Sequence, residues 1–132
     1  MASIFTKIIN GEIPAYKVAE DEHCLAFLDV YPLALGHTLV IPKKEIDYIF
    51  DIDDELFTRL HLFSKKVALG LKNAVPCLRV AVSVIGIEVP HAHIHLIPLN
   101  SMGDVNFSKN KLQFSKEVME ETADKIRANI SL

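Results

Sequence analysis

Residues 89–98 read Val89-Pro90-His91-Ala92-His93-Ile94-His95-Leu96-Ile97-Pro98, and they hold three of the six histidines at alternate positions. Successive side chains of an extended strand point to opposite faces, so His91, His93 and His95 share one face. Ala92, Ile94 and Leu96 face the other way and are free to be buried. The result is a one-sided row of imidazoles, with alternate side chains about 7 Å apart. Three chemistries fit such a row. It can be structural, at the cost that protonated neighbours repel. It can chelate zinc, since an HxH pair on a strand supplies two ligands. Against that, no carboxylate or fourth ligand lies nearby in sequence, and His37 would have to approach in space. It can also attack phosphorus, because a neutral imidazole is a competent nucleophile at pH 7 when adjacent groups orient it and manage its proton.

Working outward, Phe5 to Asn10 reads as a short helical turn ended by Gly11 and Pro14. Tyr16–Glu20 and Cys24–Leu28 are β-prone runs around the turn signal Asp21-Glu22, which predicts a hairpin. His37–Ile41 is a third strand stopped by Pro42. Asp51 or Asp53 is placed to cap the main helix. Leu56, Leu60, Phe63, Val67 and Leu71 recur at helical spacing and mark its buried face. Leu78–Ile85 is a β-branched run that predicts a central strand, and Val89–Ile97 is the last strand. Beyond Asn100 the chain turns polar and irregular. Ser115 can then cap a final helix with the stripe Met119, Thr122, Ala123, Ile126 and Ile130. The order β-β-β-α-β-β-α predicts an α+β fold, a five-stranded antiparallel sheet with a long central helix and a C-terminal helix.

The 132 residues make one domain's worth of chain, with a core over about residues 3–99 and a C-terminal extension over 100–132. Half of the residues are hydrophobic and the net charge is -3, a balance that argues against nucleic acid as the main partner. Cys24 and Cys77 form no CxxC pair, so no disulfide framework is expected and a reducing cytoplasm suits both thiols. The N-terminus lacks the pattern of a signal peptide, and no apolar run approaches the roughly 20 residues of a membrane span.

The stretch from Val89 to Pro98 resembles the signature of the histidine triad (HIT) family, His-φ-His-φ-His-φ-φ with φ apolar. Ile4 to Pro14, Leu25 to Val30 and Gly36 to Lys44 resemble the corresponding segments of its Hint branch. The resemblance runs in order over about residues 3–99. It implies a nucleotide hydrolase or transferase in which His93 attacks the α-phosphate of a purine nucleotide conjugate, of the nucleoside phosphoramidate type. A nucleotidyl-histidine intermediate would then be hydrolysed by water. His95 would contact phosphate oxygens, while His91 and His37 would fix tautomers. The second nitrogen of His93 would donate to a backbone carbonyl. Asp29 matches the carboxylate that takes the ribose hydroxyls, and Phe5, Ile8, Phe27, Val30 and Leu39 match the apolar walls around the base. Lys43 and Lys44 read as a solvated pair, and His23 and His61 match nothing. No cofactor is implied, and a homodimer is. The runner-up readings are a dinucleoside polyphosphate hydrolase and a purine-nucleotide binding module with little catalysis.

Two departures matter. Hint-type sequences often hold zinc with a Cys-x-x-Cys opening and a later histidine; Ser3, Thr6 and Glu45 stand at those places, so no structural zinc is expected. Relatives also carry Gly-Gln-Ser/Thr before the triad, with an asparagine upstream. Here Ile87 and Glu88 occupy that segment, and Ser83 partly replaces the asparagine. An ionised carboxylate offers phosphate no donor. Glu88 therefore either turns away or faces the leaving group, where it would favour a cationic amine. Turnover of a lysyl phosphoramidate should exceed that of a neutral one, and Glu88→Gln should narrow the gap. An unchanged ratio in that variant would remove Glu88 from substrate choice.

Overall fold

The computed structural model describes residues 2–132. Helix α1 (Ile4–Ile9) opens the chain, capped by Ser3, whose hydroxyl accepts from the Thr6 N–H. Strands β1 (Lys17–Glu20), β2 (Cys24–Leu28) and β3 (Thr38–Pro42) follow. Asp21 makes the first hairpin, its carboxylate accepting from the backbone N–H of His23 and Cys24. Helix α2 (Asp54–Ala74) is capped by Asp53, not Asp51. Strands β4 (Arg79–Ser83) and β5 (Ile94–Leu99) and helix α3 (Lys116–Ala128), capped by Ser115, complete the order. The sheet is antiparallel throughout, in the order β1-β2-β3-β5-β4.

Two apolar layers sandwich this sheet. On one face Leu60, Phe63, Val67 and Leu71 of α2 and Met119, Ala123 and Ile126 of α3 pack onto Ala26, Val40, Ile94 and Leu96. Of the expected stripes, Leu60, Phe63, Val67 and Leu71 and Met119, Thr122, Ala123 and Ile126 are buried, while Leu56 and Ile130 are partly buried against the same core. On the other face Phe5 and Ile8 of α1 cover Leu25, Phe27, Leu39 and Ile41. Each such side chain contributes about 1.5–3 kcal/mol when fully removed from water. Because both faces are covered, β2 and β3 are buried at every position and read as unbroken apolar runs.

Two glycines are required by close approach. Gly36, at φ +92°, turns the chain into β3, where a Cβ would meet Val75 and Leu71 at 3.0 and 3.1 Å. Gly70 lets the end of the α3 segment press against α2, since a Cβ there would lie 2.8 Å from the Asn129 carbonyl oxygen. The C-terminal helix therefore packs on α2, β1 and β2 of its own chain.

Two expectations are corrected. The β-branched run after α2 forms an edge strand, not a central one, because β5 inserts between β3 and β4; Val82 is left 64% exposed. Strong β-propensity marks a residue that fits a pleated surface and says nothing about which strands lie beside it. The last strand starts at Ile94 and runs through Pro98. Beside Pro98 it pairs with β4 alone, since β3 ends opposite Leu96, so the proline sits where one side of β5 has no partner. Both cysteines are free, and among the described residues no helix is long and apolar enough to cross a membrane.

Candidate active site

Sheet register assembles the site. Phe27 pairs with Leu39, Leu39 with His95, and His95 with Ser83, so four side chains from four strands form one row. Directly paired residues share a face, and this is the face that α1 covers. His91 and His93 precede β5 but keep its alternation. The Phe5 ring meets both imidazoles edge-on, at centroid distances of 5.8 and 5.0 Å, while Ala92, Ile94 and Leu96 lie in the opposite core. His93 and His95 stand 4.9 Å apart, ring to ring.

Hydrogen bonds define every tautomer in the group. The Leu33 N–H donates to His37 Nδ1 at 3.0 Å, so the proton of a neutral His37 sits on Nε2. That N–H donates to His95 Nδ1 at 2.9 Å, which leaves the one N–H of His95, on Nε2, directed away from the pair. His93 Nδ1 donates to the His91 carbonyl at 2.8 Å, the bond expected from sequence. Its Nε2 keeps a lone pair with no protein partner among the described residues, and it is not sealed from solvent. His91 Nε2 donates to the Pro42 carbonyl, and its Nδ1 accepts from the Ser3 hydroxyl, both at 2.8 Å.

Burial sets the electrostatics. Desolvation, with neighbouring imidazoles and Lys111 adding to it, holds His37 down to about 3 and His95 to about 4; His91 is also lowered, chiefly by burial. All three are therefore neutral at pH 7. Asp29 lies 3.7 Å from His37 Nε2 and accepts from the Tyr31 N–H. Burial raises its carboxyl above the ordinary value.

Two clusters invite a metal, and neither fits one well. Asp29, His37 and His95 bring three ligand atoms within 4.8 Å of one another. However, the Leu33 N–H occupies Nδ1 of His37, so a cation at Nε2 would force that ring to give up its only proton. The second cluster joins Ser3, Thr6, Glu45 and His91. Glu45 accepts from the Ser3 N–H at 2.6 Å and the Thr6 hydroxyl at 2.7 Å, and these bonds hold its carboxyl at about 2. Neutral hydroxyls stand where a zinc cage would use thiolates. This network clasps α1 to His91 instead.

A HIT domain profile matches residues 10–102. The chain belongs to the HIT family. An uncharacterized HIT-like protein of Borreliella burgdorferi is 38% identical, over 96% of this chain and 97% of that one. The crystal structure of a Hit-like protein from Bartonella henselae superposes with a TM-score of 0.85 at 35% identity, covering 97% of this chain and 96% of that one. The adenosine 5′-monophosphoramidase of Saccharomyces cerevisiae is 41% identical, over 74% of this chain and 62% of its own. The five-stranded antiparallel sheet described above is that of these HIT relatives.

Most residues singled out from the HIT resemblance come together. Phe5, Ile8, Phe27 and Leu39 make one apolar cluster, joined by Val89, which the sequence reading passed over. His91 and His93 meet Phe5 of this cluster, His95 pairs with Leu39 and with Ser83, and Asp29 stands beside His37, which bonds His95. Val30 does not join and stands exposed. Ile87 is 85% exposed, and Glu88, also exposed, adds its charge to the burial that raises the Asp29 carboxyl. Lys43 is tied to Glu20 at 2.8 Å. His61, expected at the surface, is exposed but borders a cavity of about 290 Å³ with Tyr48, Phe50, Phe57, Ile85 and His93. Phe107 packs edge-on against His95 at 4.9 Å, from a segment that offered no periodic signal.

The buried histidines predict a pH effect on stability. His37 and His95 titrate near 6.5 when unfolded but at about 3 and 4 when folded. Between those values the unfolded chain binds more protons, so their contribution is complete above pH 6.5 and is lost as pH falls. Urea unfolding should show a loss on the order of 2 kcal/mol per histidine from pH 6.5 to 5. His37→Gln should flatten that slope; an unaltered slope would mean that other groups carry it.

Proposed function

We propose that this protein is a nucleotidyl hydrolase or transferase acting at the α-phosphate of a purine nucleotide conjugate, with nucleoside phosphoramidates as the substrate type. The observation that carries the reading is the free Nε2 lone pair of His93, held by the Nδ1 bond to the His91 carbonyl beside the spare N–H of His95. His93 Nε2 attacks phosphorus, a P–N bond forms, and the bond from phosphorus to the leaving amine breaks as the amine takes up a proton from solvent water. The positive charge that develops on His93 is met by the His91 carbonyl oxygen. His95 donates to the phosphoryl oxygens as their charge grows. Water then displaces His93 and releases the nucleoside monophosphate. Asp29 accepts from the ribose hydroxyls, and the Phe5, Ile8, Phe27 and Leu39 cluster receives the base. The likeness to a yeast adenosine 5′-monophosphoramidase supports the amine leaving group.

The same reading has two copies of the chain as the working unit, in a cytoplasmic setting. Leu78 and Val82 of the β4 edge region, and Leu62 and Leu69 of α2, are each more than half exposed. A bare apolar edge strand is a template for pairing, and a second β4 would cover it.

Adenosine 5′-phosphoramidate should be turned over by the wild type, and His93→Ala should lower kcat by about a thousandfold or more. Binding of AMP without turnover in the wild type would favour a binding module instead. In analytical ultracentrifugation the wild type should sediment as a dimer and Val82→Lys as a monomer. A monomeric wild type at micromolar concentration would remove the second copy from the reading.

A further inference from the structure

The segment between β5 and α3 lies over the catalytic end of the sheet. The Leu112 N–H bonds the Pro32 carbonyl at 2.9 Å, tying this segment to the loop that follows Asp29. Phe107 packs its ring against His95, and lies 6.4 Å from His37. Lys111 folds back on the same turn. Its ammonium donates to the Phe107 carbonyl at 2.9 Å and sits 5.3 Å from the Phe107 ring centre.

The charge balance of the site needs a cation there. His37, His91 and His95 are held neutral, and Asp29 and Glu88 bring negative charge to the same mouth. The phosphate segment that would supply neutral donors carries Ile87 and Glu88 instead. A nucleotide phosphate would then enter a pocket with two carboxylates at its mouth and no formal positive charge on its walls. Lys43 is engaged by Glu20. Among the described lysines and arginines, Lys111 is the one whose field reaches Asp29, His37 and His95 together.

We propose that Lys111 is the anion-binding residue of this site, swinging its ammonium from the Phe107 carbonyl onto the non-bridging oxygens of the substrate phosphate beside His95. The inference rests on the nucleotide reading above and extends it to a part of the chain outside the matched HIT region, residues 10–102. A lysine suits this task because its long stem reaches and releases, whereas the Phe107 carbonyl offers the ammonium a neutral resting place.

Calorimetric titration with AMP and with adenosine separates the possibilities, since only AMP carries the phosphate. The wild type should bind AMP more tightly than adenosine, with an affinity that falls as salt rises. Lys111→Met should weaken AMP by about five- to tenfold, as befits one charge-assisted hydrogen bond at a half-open site, and leave adenosine unchanged. Lys111→Arg should restore most of the AMP affinity. Equal weakening of AMP and adenosine in Lys111→Met would overturn the proposal, since it would show that the lysine only props up Phe107. So would a wild-type preference for AMP that survives Lys111→Met intact, which would leave the nucleotide reading standing. A wild type that binds neither ligand would sink both.

Discussion

A neutral imidazole has one donor and one acceptor; His37 and His91 use both within the protein, whereas His93 and His95 use one each. The Leu33 amide holds Nδ1 of His37, the His91 carbonyl holds Nδ1 of His93, and the Pro42 carbonyl holds Nε2 of His91. What remains for chemistry follows by subtraction: a lone pair on His93 and an N–H on His95. Burial reinforces the assignment, since it keeps His37 and His95 neutral over the whole physiological range. A protonated row would repel itself and lose both the acceptor at His95 Nδ1 and the lone pair on His93.

The rest of the molecule holds that arrangement still. Cross-strand register delivers Phe27, Leu39, His95 and Ser83 as one row, and the two-sided core of α2, α3 and α1 makes a register slip costly, because it would turn every apolar side chain to the wrong face. The clasp of Ser3, Thr6 and Glu45 ties α1 to His91, so the helix that walls the apolar cluster and the carbonyl that orients His93 are held by one set of hydrogen bonds. Three of the four residues that build the clasp are the ones at which this chain departs from the zinc-holding pattern. A carboxylate and two hydroxyls join α1 to His91 by hydrogen bonding at these positions.

The mouth of the site is less regular than its floor. Ile87 and Glu88 lie on the loop between β4 and β5, and Phe107 and Lys111 lie on the segment after β5, with Phe107 against His95. The aromatic cavity beside His93, lined by Tyr48, Phe50 and Phe57, adjoins the Val84–Gly86 stretch before that loop.

By itself the sequence determined the order of the elements and the shared face of the imidazole row. Alternation at His91, His93 and His95, the helical spacing of Leu60, Phe63, Val67 and Leu71, and the capping types at Asp53 and Ser115 are local properties, and local geometry obeys them. Tertiary structure decided everything that depends on which strands and loops become neighbours. β4 became an edge because β5 inserted beside β3, an ordering that strand propensity does not encode. Val30 left the apolar cluster and Val89 entered it. The Leu33 amide chose the tautomer of His37, and Phe107 reached the histidines, with Lys111 folded onto it, from a polar stretch with no periodicity to read. A residue that acts through a contact formed by chain reversal, and not through its own strand or helix, leaves no pattern in the linear order.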